Sequence, residues 1–131
     1  MTYLIDSDVV VDWLNGKDSA TLLLATLIPD GLAISLITYG EIYEGIYFGR
    51  DPKASEAGFR RFLHGVRVLP LNRPIVRRFS FIRGDLRRRG QRIGDLDILI
   101  GATTLHHDLT LVTGNADHFE RIDGLRLLEQ A

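Results

Sequence analysis

The chain has 131 residues, 45% of them hydrophobic, a formal net charge of -1 and no cysteine. That length supports one domain, expected to span 1–131, and is too short for two ordinary ones. Disulfide and thiolate–metal chemistry are excluded, a reducing cytoplasmic setting is expected, and a nucleic-acid partner would have to be met by a local basic patch. The start lacks the basic residues and long apolar stretch of a leader, and no apolar run is long enough for a bilayer, so no membrane association is expected.

Tyr3-Leu4-Ile5 reads as a short buried strand that runs at once into a helix over Val9–Leu14. Asp18 or Ser19 is placed to cap a second helix reaching Ile28, and Pro29-Asp30-Gly31 is a turn. Leu32–Ser35 is a second strand, and Thr38–Phe48 a helix. Pro52 opens another helix that passes Phe59, Phe62 and Leu63 and closes at Gly65. Val66–Leu69 is a third strand. From Arg73 to Arg89, the spacing of Ile75, Phe79, Ile82 and Leu86 puts one apolar face on a long helix. Leu96–His107 is apolar nearly all round and reads as a central buried helix. Leu109–Thr113 is a fourth strand and Leu125–Leu128 a weak fifth. Short apolar strands alternating with helices imply an α/β fold, a parallel sheet of about five strands flanked by helices.

In such a sheet, function gathers beyond the carboxyl ends of the strands. Those positions hold Asp6 and Asp8, the segment from Ser35 to Glu41, and Thr113 to Asp117, with Asp95 and Asp97 at the start of the buried helix. Carboxylates forced together repel unless protons or a cation compensate, and an all-oxygen donor set suits Mg²⁺ or Mn²⁺. Such an ion lowers the pKa of water and binds phosphate oxygens, which is phosphodiester chemistry. Each acid has an ordinary structural alternative: Asp6 and Asp95 as helix caps, Asp97 as a first-turn acid, Glu41 as a solvated side chain. For Asp95 the cap is the better reading; for Asp97 the apolar helix behind it favours a site. With a cation present no histidine base is needed, so His64, His106, His107 and His118 are read as structural or exposed.

Four segments, in order, carry a resemblance. Tyr3-Leu4-Ile5-Asp6-Ser7-Asp8-Val9-Val10-Val11-Asp12 resembles the opening of the PIN-domain nucleases, and Ile34 to Ile46, with Thr38 three residues before Glu41 and Gly45 four after it, resembles their second block. Gly94-Asp95-Leu96-Asp97-Ile98-Leu99-Ile100-Gly101-Ala102 is similar to the third, and Leu111 to Phe119, followed by Ile122-Asp123-Gly124-Leu125, to the closing block. Together they cover nearly the whole chain and point to the VapC toxins of toxin–antitoxin pairs. The resemblance implies a PIN fold, Mg²⁺- or Mn²⁺-dependent endoribonuclease activity and a cognate antitoxin. It makes Asp6, Glu41 and Asp97 the acidic triad, with Asp6 and Asp97 as direct metal ligands and Glu41 as a second-ion ligand or a group acting through water. The family's fourth acidic position falls on Asn115, a neutral amide; Asp117 stands two residues on and Asp95 is a further candidate. Asp8 is expected to orient its loop.

Arg73, Arg77, Arg78, Arg83, Arg87, Arg88, Arg89 and Arg92 lie in or beside the long helix with one acid, Asp85, and offer a face to RNA phosphates. Tyr39, Tyr43 and Tyr47, with Phe48 beside them, form a stripe opposite Ile42 and Ile46. Core packing is the commoner cause of such a stripe, but two apolar faces on one helix call for a partner helix or a second copy, so a homodimer is expected. Two rivals remain open. Asp6-Ser7-Asp8 also fits a haloacid-dehalogenase-like phosphatase, although Leu99 stands where its late motif wants Asp and neither Lys17 nor Lys53 follows a strand. The other is a PIN-like scaffold that binds without cutting.

Overall fold

The computed structural model describes residues 1–130; Ala131, the last residue of the expected domain, lies outside them. The strands are β1 (Tyr3–Ile5), β2 (Leu32–Ser35), β3 (Val66–Leu69), β4 (Thr110–Thr113) and β5 (Arg126–Glu129). They form one sheet in the order β3-β2-β1-β4-β5, every pair parallel. The chain starts in the middle, builds outward through β2 and β3, then returns to lay β4 against the other side of β1. This reversal of direction opens a crevice at the carboxyl ends of β1 and β4.

Seven helices cover the two faces: α1 (Ser7–Leu14), α2 (Asp18–Leu27), α3 (Leu36–Tyr47), α4 (Pro52–Phe62), α5 (Arg73–Arg88), α6 (Asp95–His106) and the short α7 (Ala116–Phe119). Alternate strand residues divide between two cores, as the two-residue period of a strand requires. Ile5, Ile34 and Val112 pack with Val9, Val10, Leu24, Ile42, Ile46 and Phe59 on the α1–α4 side. Leu4, Ala33 and Leu111 pack with Leu86, Ile98, Ile100, Phe119 and Ile122 on the α5–α7 side. Gly101 permits the close approach of α6 to the segment after α7, since a Cβ there would lie 2.7 Å from Ile122 Cδ1.

Three local expectations are corrected. The cap position of α2 is Lys17, with no side-chain cap, so neither Asp18 nor Ser19 fills it. The cap of α6 is Gly94; Asp95 sits inside the first turn, where its charge suits the helix dipole, and Arg83 Nε donates to its Oδ1 at 2.8 Å. The tyrosine stripe finds its partner helix within the chain. Tyr39 and Tyr43 pack on Phe59 of α4 at ring separations of 5.7 Å, and Tyr43 donates to Glu56 at 2.7 Å. Tyr47 and Phe48 stay outside, 67% and 88% exposed. Among the described residues, no helix is long and apolar enough to cross a membrane.

Candidate active site

Asp6 is the residue at which β1 stops and α1 begins. Its backbone N–H still pairs with Val112 O of β4 at 2.9 Å, while its carbonyl already accepts from Val9 and Val10. The side chain is only 5% exposed. Oδ1 accepts from Ser7 N at 2.8 Å and Oδ2 from Thr113 Oγ1 at 2.8 Å. The cap reading of Asp6 holds, and the same carboxylate also joins the ends of β1 and β4 through Thr113. Burial, then the neighbouring Asp8 carboxylate, push its pKa from 3.8 to about 7, against the two hydrogen bonds that favour the ionised form.

Asp97 lies in the first turn of α6, half-buried. Burial raises its pKa as well, opposed by His118 and assisted by Asp8. Asp8 thus stands electrostatically between Asp6 and Asp97. Its Oδ2 accepts from Gly114 N at 3.1 Å, and a Cβ on Gly114 would come within 2.8 Å of that oxygen. The expected loop-orienting role is what its contacts describe, and the closeness of approach accounts for a glycine at 114.

Glu41 is held by hydroxyls. Ser7 Oγ lies 2.7 Å from Glu41 Oε1 and 2.9 Å from Thr38 Oγ1, which in turn lies 3.4 Å from Ser35 Oγ. A carboxylate only accepts and each hydroxyl has one proton, so the donors run in one direction, Ser35 to Thr38 to Ser7 to Glu41. Thr38 N donates back to Ser35 Oγ at 3.0 Å, which makes Ser35 the cap of α3.

At the fourth position, Asn115 N donates to Thr113 Oγ1 at 2.9 Å, and its side-chain amide lies 2.9 Å from His118 Nδ1. That imidazole nitrogen is 3.7 Å from Asp97 Oδ2. His118, set aside in the sequence reading, is brought to the site with Asn115; the signal available was their spacing of three on what proves to be one turn of helix. Asp117 is exposed, and Asp95 is engaged by Arg83. The chain therefore brings Asp6, Asp8, Glu41, Asp97 and Asn115 to one end of the sheet and adds Ser7, Thr38, Thr113 and His118.

Among the described residues, no three carboxylate or imidazole side chains stand close enough to enclose a metal ion unaided. A hard divalent cation does not require that: Mg²⁺ keeps several waters and takes one or two carboxylates. Two acids whose charge is suppressed by burial and by a shared carboxylate neighbour are what such an ion would relieve, so the donor set fits.

The model of the PIN domain matches residues 3–125. The chain belongs to the PIN domain family. Ribonuclease VapC10 of Mycobacterium tuberculosis is 36% identical over 124 residues, 94% of this chain and 90% of that one, which places the chain among the VapC-type PIN proteins. Ribonuclease VapC2 of Haemophilus influenzae is 27% identical over 96% of both chains. The solved structure of VapBC2 from Rickettsia felis, bound to a DNA fragment from their promoter, superposes with a TM-score of 0.94 over 100% of both chains at 26% identity. The PIN fold, with its all-parallel five-stranded sheet, is thereby established, and the phosphatase alternative falls. Consistent with that, Lys17 immediately precedes α2 and Lys53 lies within α4, so neither stands at a strand end.

Proposed function

We propose that this VapC-type PIN protein is the toxin of a toxin–antitoxin pair, an endoribonuclease that uses Mg²⁺ or Mn²⁺ to hydrolyse RNA phosphodiesters. The observation that carries the reading is the pair Asp6 and Asp97, two carboxylates whose ionisation is opposed by burial and by Asp8 at the crevice between β1 and β4. The ribonuclease names of the relatives supply the substrate class.

In this proposal Asp6 and Asp97 are the direct cation ligands. Once bound, the ion supplies charge neutralisation and Lewis acidity toward water and phosphate oxygens. Glu41, fixed in direction by Ser7, accepts the proton of an attacking water or orients that water. Asn115 brings no charge to the fourth position; its amide, steadied by His118, donates to a phosphate oxygen or to water. Arginines of α5 bind flanking phosphates.

The antitoxin belongs to the same reading, since the Rickettsia structure is a VapBC complex. A groove of about 380 Å³ between α1, α3 and α4, walled by Val11, Leu14, Ile42 and Ile46, runs up to Glu41. An antitoxin tail seated there with an Arg or Lys entering the acidic cluster would compete with the cation. The exposed Tyr47 and Phe48 are further handles. The expected homodimer loses the support of Tyr39 and Tyr43, which α4 covers, and is decided by sedimentation of the isolated chain.

The test measures cleavage of a labelled RNA with Mn²⁺, with EDTA, and by Asp6→Asn and Asp97→Asn. It also measures the shift in melting temperature on adding Mn²⁺ without RNA. Cleavage and shift are expected in the wild type and lost in both variants. Full cleavage in EDTA would overturn the mechanism.

A further inference from the structure

Residues 73–92 carry eight arginines and one aspartate, a net +7 inside a chain of net -1, so all other residues together sum to -8. The positive charge is further concentrated by its pairing. Asp85 is spent on Arg88 and Arg89, at 3.1 and 2.9 Å, and these hold its carboxyl below the usual range. Arg83 is matched by Asp95. Arg77 and Arg78 form no ion pair or hydrogen bond among the described residues.

One turn on from those two free guanidinium groups stands Phe81, 75% exposed. Residues three and four apart are neighbours on a helix surface, so Arg77 and Arg78 flank the ring on one side. On the other side stand Gly84, which has no side chain to cover the ring, and Asp85, whose charge is already taken by Arg88 and Arg89. The ring borders a cleft of about 710 Å³ floored by Ile82, Leu105 and Ile122. Leu105 is in the last turn of α6 and Asp97 in its first, a separation of eight residues, or about 12 Å at 1.5 Å each. This surface lies at the opposite end of α6 from the acidic site.

We propose that the Phe81 face of α5 is a second RNA-binding surface, one that stacks a base of single-stranded RNA on the Phe81 ring and pairs neighbouring phosphates with Arg77 and Arg78. It rests on the ribonuclease reading and extends it, since the RNA then spans from the cut at the acidic cluster to an anchor beyond α6. An open aromatic face beside unpaired cations is what unstacked bases and their backbone require. A second copy of the chain is the poorer occupant, because two-fold pairing on this face would set arginine against arginine. An acidic protein would satisfy the arginines but would use the ring only as apolar area.

The test uses the full chain in EDTA, with fluorescence anisotropy of single-stranded RNA on the order of 20 nucleotides and on the order of five. Phe81→Ala and Phe81→Leu are expected to weaken the longer RNA about tenfold, in keeping with the loss of one stacked base, and Phe81→Tyr to stay within about twofold. Replacing Arg77 and Arg78 by Gln should flatten the salt dependence for the longer RNA. The short RNA should be indifferent to all four. With Mn²⁺ added, KM for the longer RNA should rise in Phe81→Ala while kcat holds. Wild-type affinity in Phe81→Leu would overturn stacking and point to a protein partner. A fall in sedimentation coefficient from dimer to monomer in RNA-free Phe81→Ala would assign the face to a second copy. Unchanged long-RNA affinity in Phe81→Ala, with cleavage intact, overturns this surface alone. If the wild type never cleaves but binds in the expected pattern, the surface stands and the nuclease reading fails.

Discussion

Asp6→Asn should make the metal-free protein more stable at high pH and no more stable at low pH. The folded pKa of Asp6 is raised from 3.8 to about 7. Between those values the folded state holds a proton that the unfolded chain has released, so stability falls as pH rises through the window and the full penalty is present above about pH 7. Roughly three units at about 1.36 kcal/mol each set a ceiling near 4 kcal/mol, lowered because Asp8 shares the titration. Asn keeps one acceptor oxygen and replaces the other with a donor, facing Ser7 N–H or Thr113, at a cost of about 1–2 kcal/mol. A net gain of about 2 kcal/mol remains at about pH 8. At roughly 2.1 cal/mol/K per residue, a chain of 131 residues converts that to about 7 °C in melting temperature. At about pH 5 more than half of the penalty is gone and the gain should vanish or reverse. Calorimetry in EDTA at the two pH values reads this directly. Parallel pH profiles for wild type and variant would refute the claim that Asp6 is protonated by its surroundings.

Asp8→Asn keeps an acceptor for Gly114 N but removes the charge that opposes ionisation of both Asp6 and Asp97; carboxyl-carbon NMR titration should show both midpoints moving down. Ser7→Ala removes the donor on Glu41 and is expected to lower cleavage about tenfold, given about 1.5 kcal/mol for a bond to a charged group, with Ser7→Thr retaining most activity; equal rates for Ala and Thr would detach the hydroxyl chain from catalysis. Neutralising Arg83 and Arg87 should flatten the log–log salt slope of RNA binding by about 0.7 to 1.4, the lower figure applying if Asp95 already cancels Arg83. Gly114→Ala should displace Asp8, which a Cβ there would meet at 2.8 Å, and lower cleavage while the chain stays folded by circular dichroism.

The sheet was legible in the sequence because Leu4 and Ile5, Ala33 and Ile34, and Leu111 and Val112 are short apolar runs bounded by turn or cap residues, with helical spacing between them. The strand-end rule drew attention to the segments that carry the candidate acids, but the choice of Asp6, Glu41 and Asp97 among them rested on the family resemblance. The hydroxyl chain was only half visible: Ser35, Thr38 and Glu41 repeat every three residues and so share one flank of a helix, but Ser7, which joins them, arrives from 34 positions before Glu41. His118 was missed because α7 has four residues, too few for any periodicity to register. Which helix partners the tyrosine stripe was also legible in the sequence. Phe59 and Phe62 mark an apolar face on the next helix, and a four-residue link after Tyr47 leaves that helix little choice but to fold back against α3.

The order β3-β2-β1-β4-β5 has a consequence during synthesis. Asp6 precedes its partner Thr113 by 107 positions, and β1 has no neighbour on that side until β4 emerges. Asp97, Gly114 and Asn115 arrive equally late. At about 5–20 residues per second, a ribosome works for roughly five to twenty seconds between Asp6 and Thr113, and throughout that time the nascent chain carries its acids without the crevice that brings them together. Topology therefore keeps the candidate site unassembled until the fourth strand is inserted.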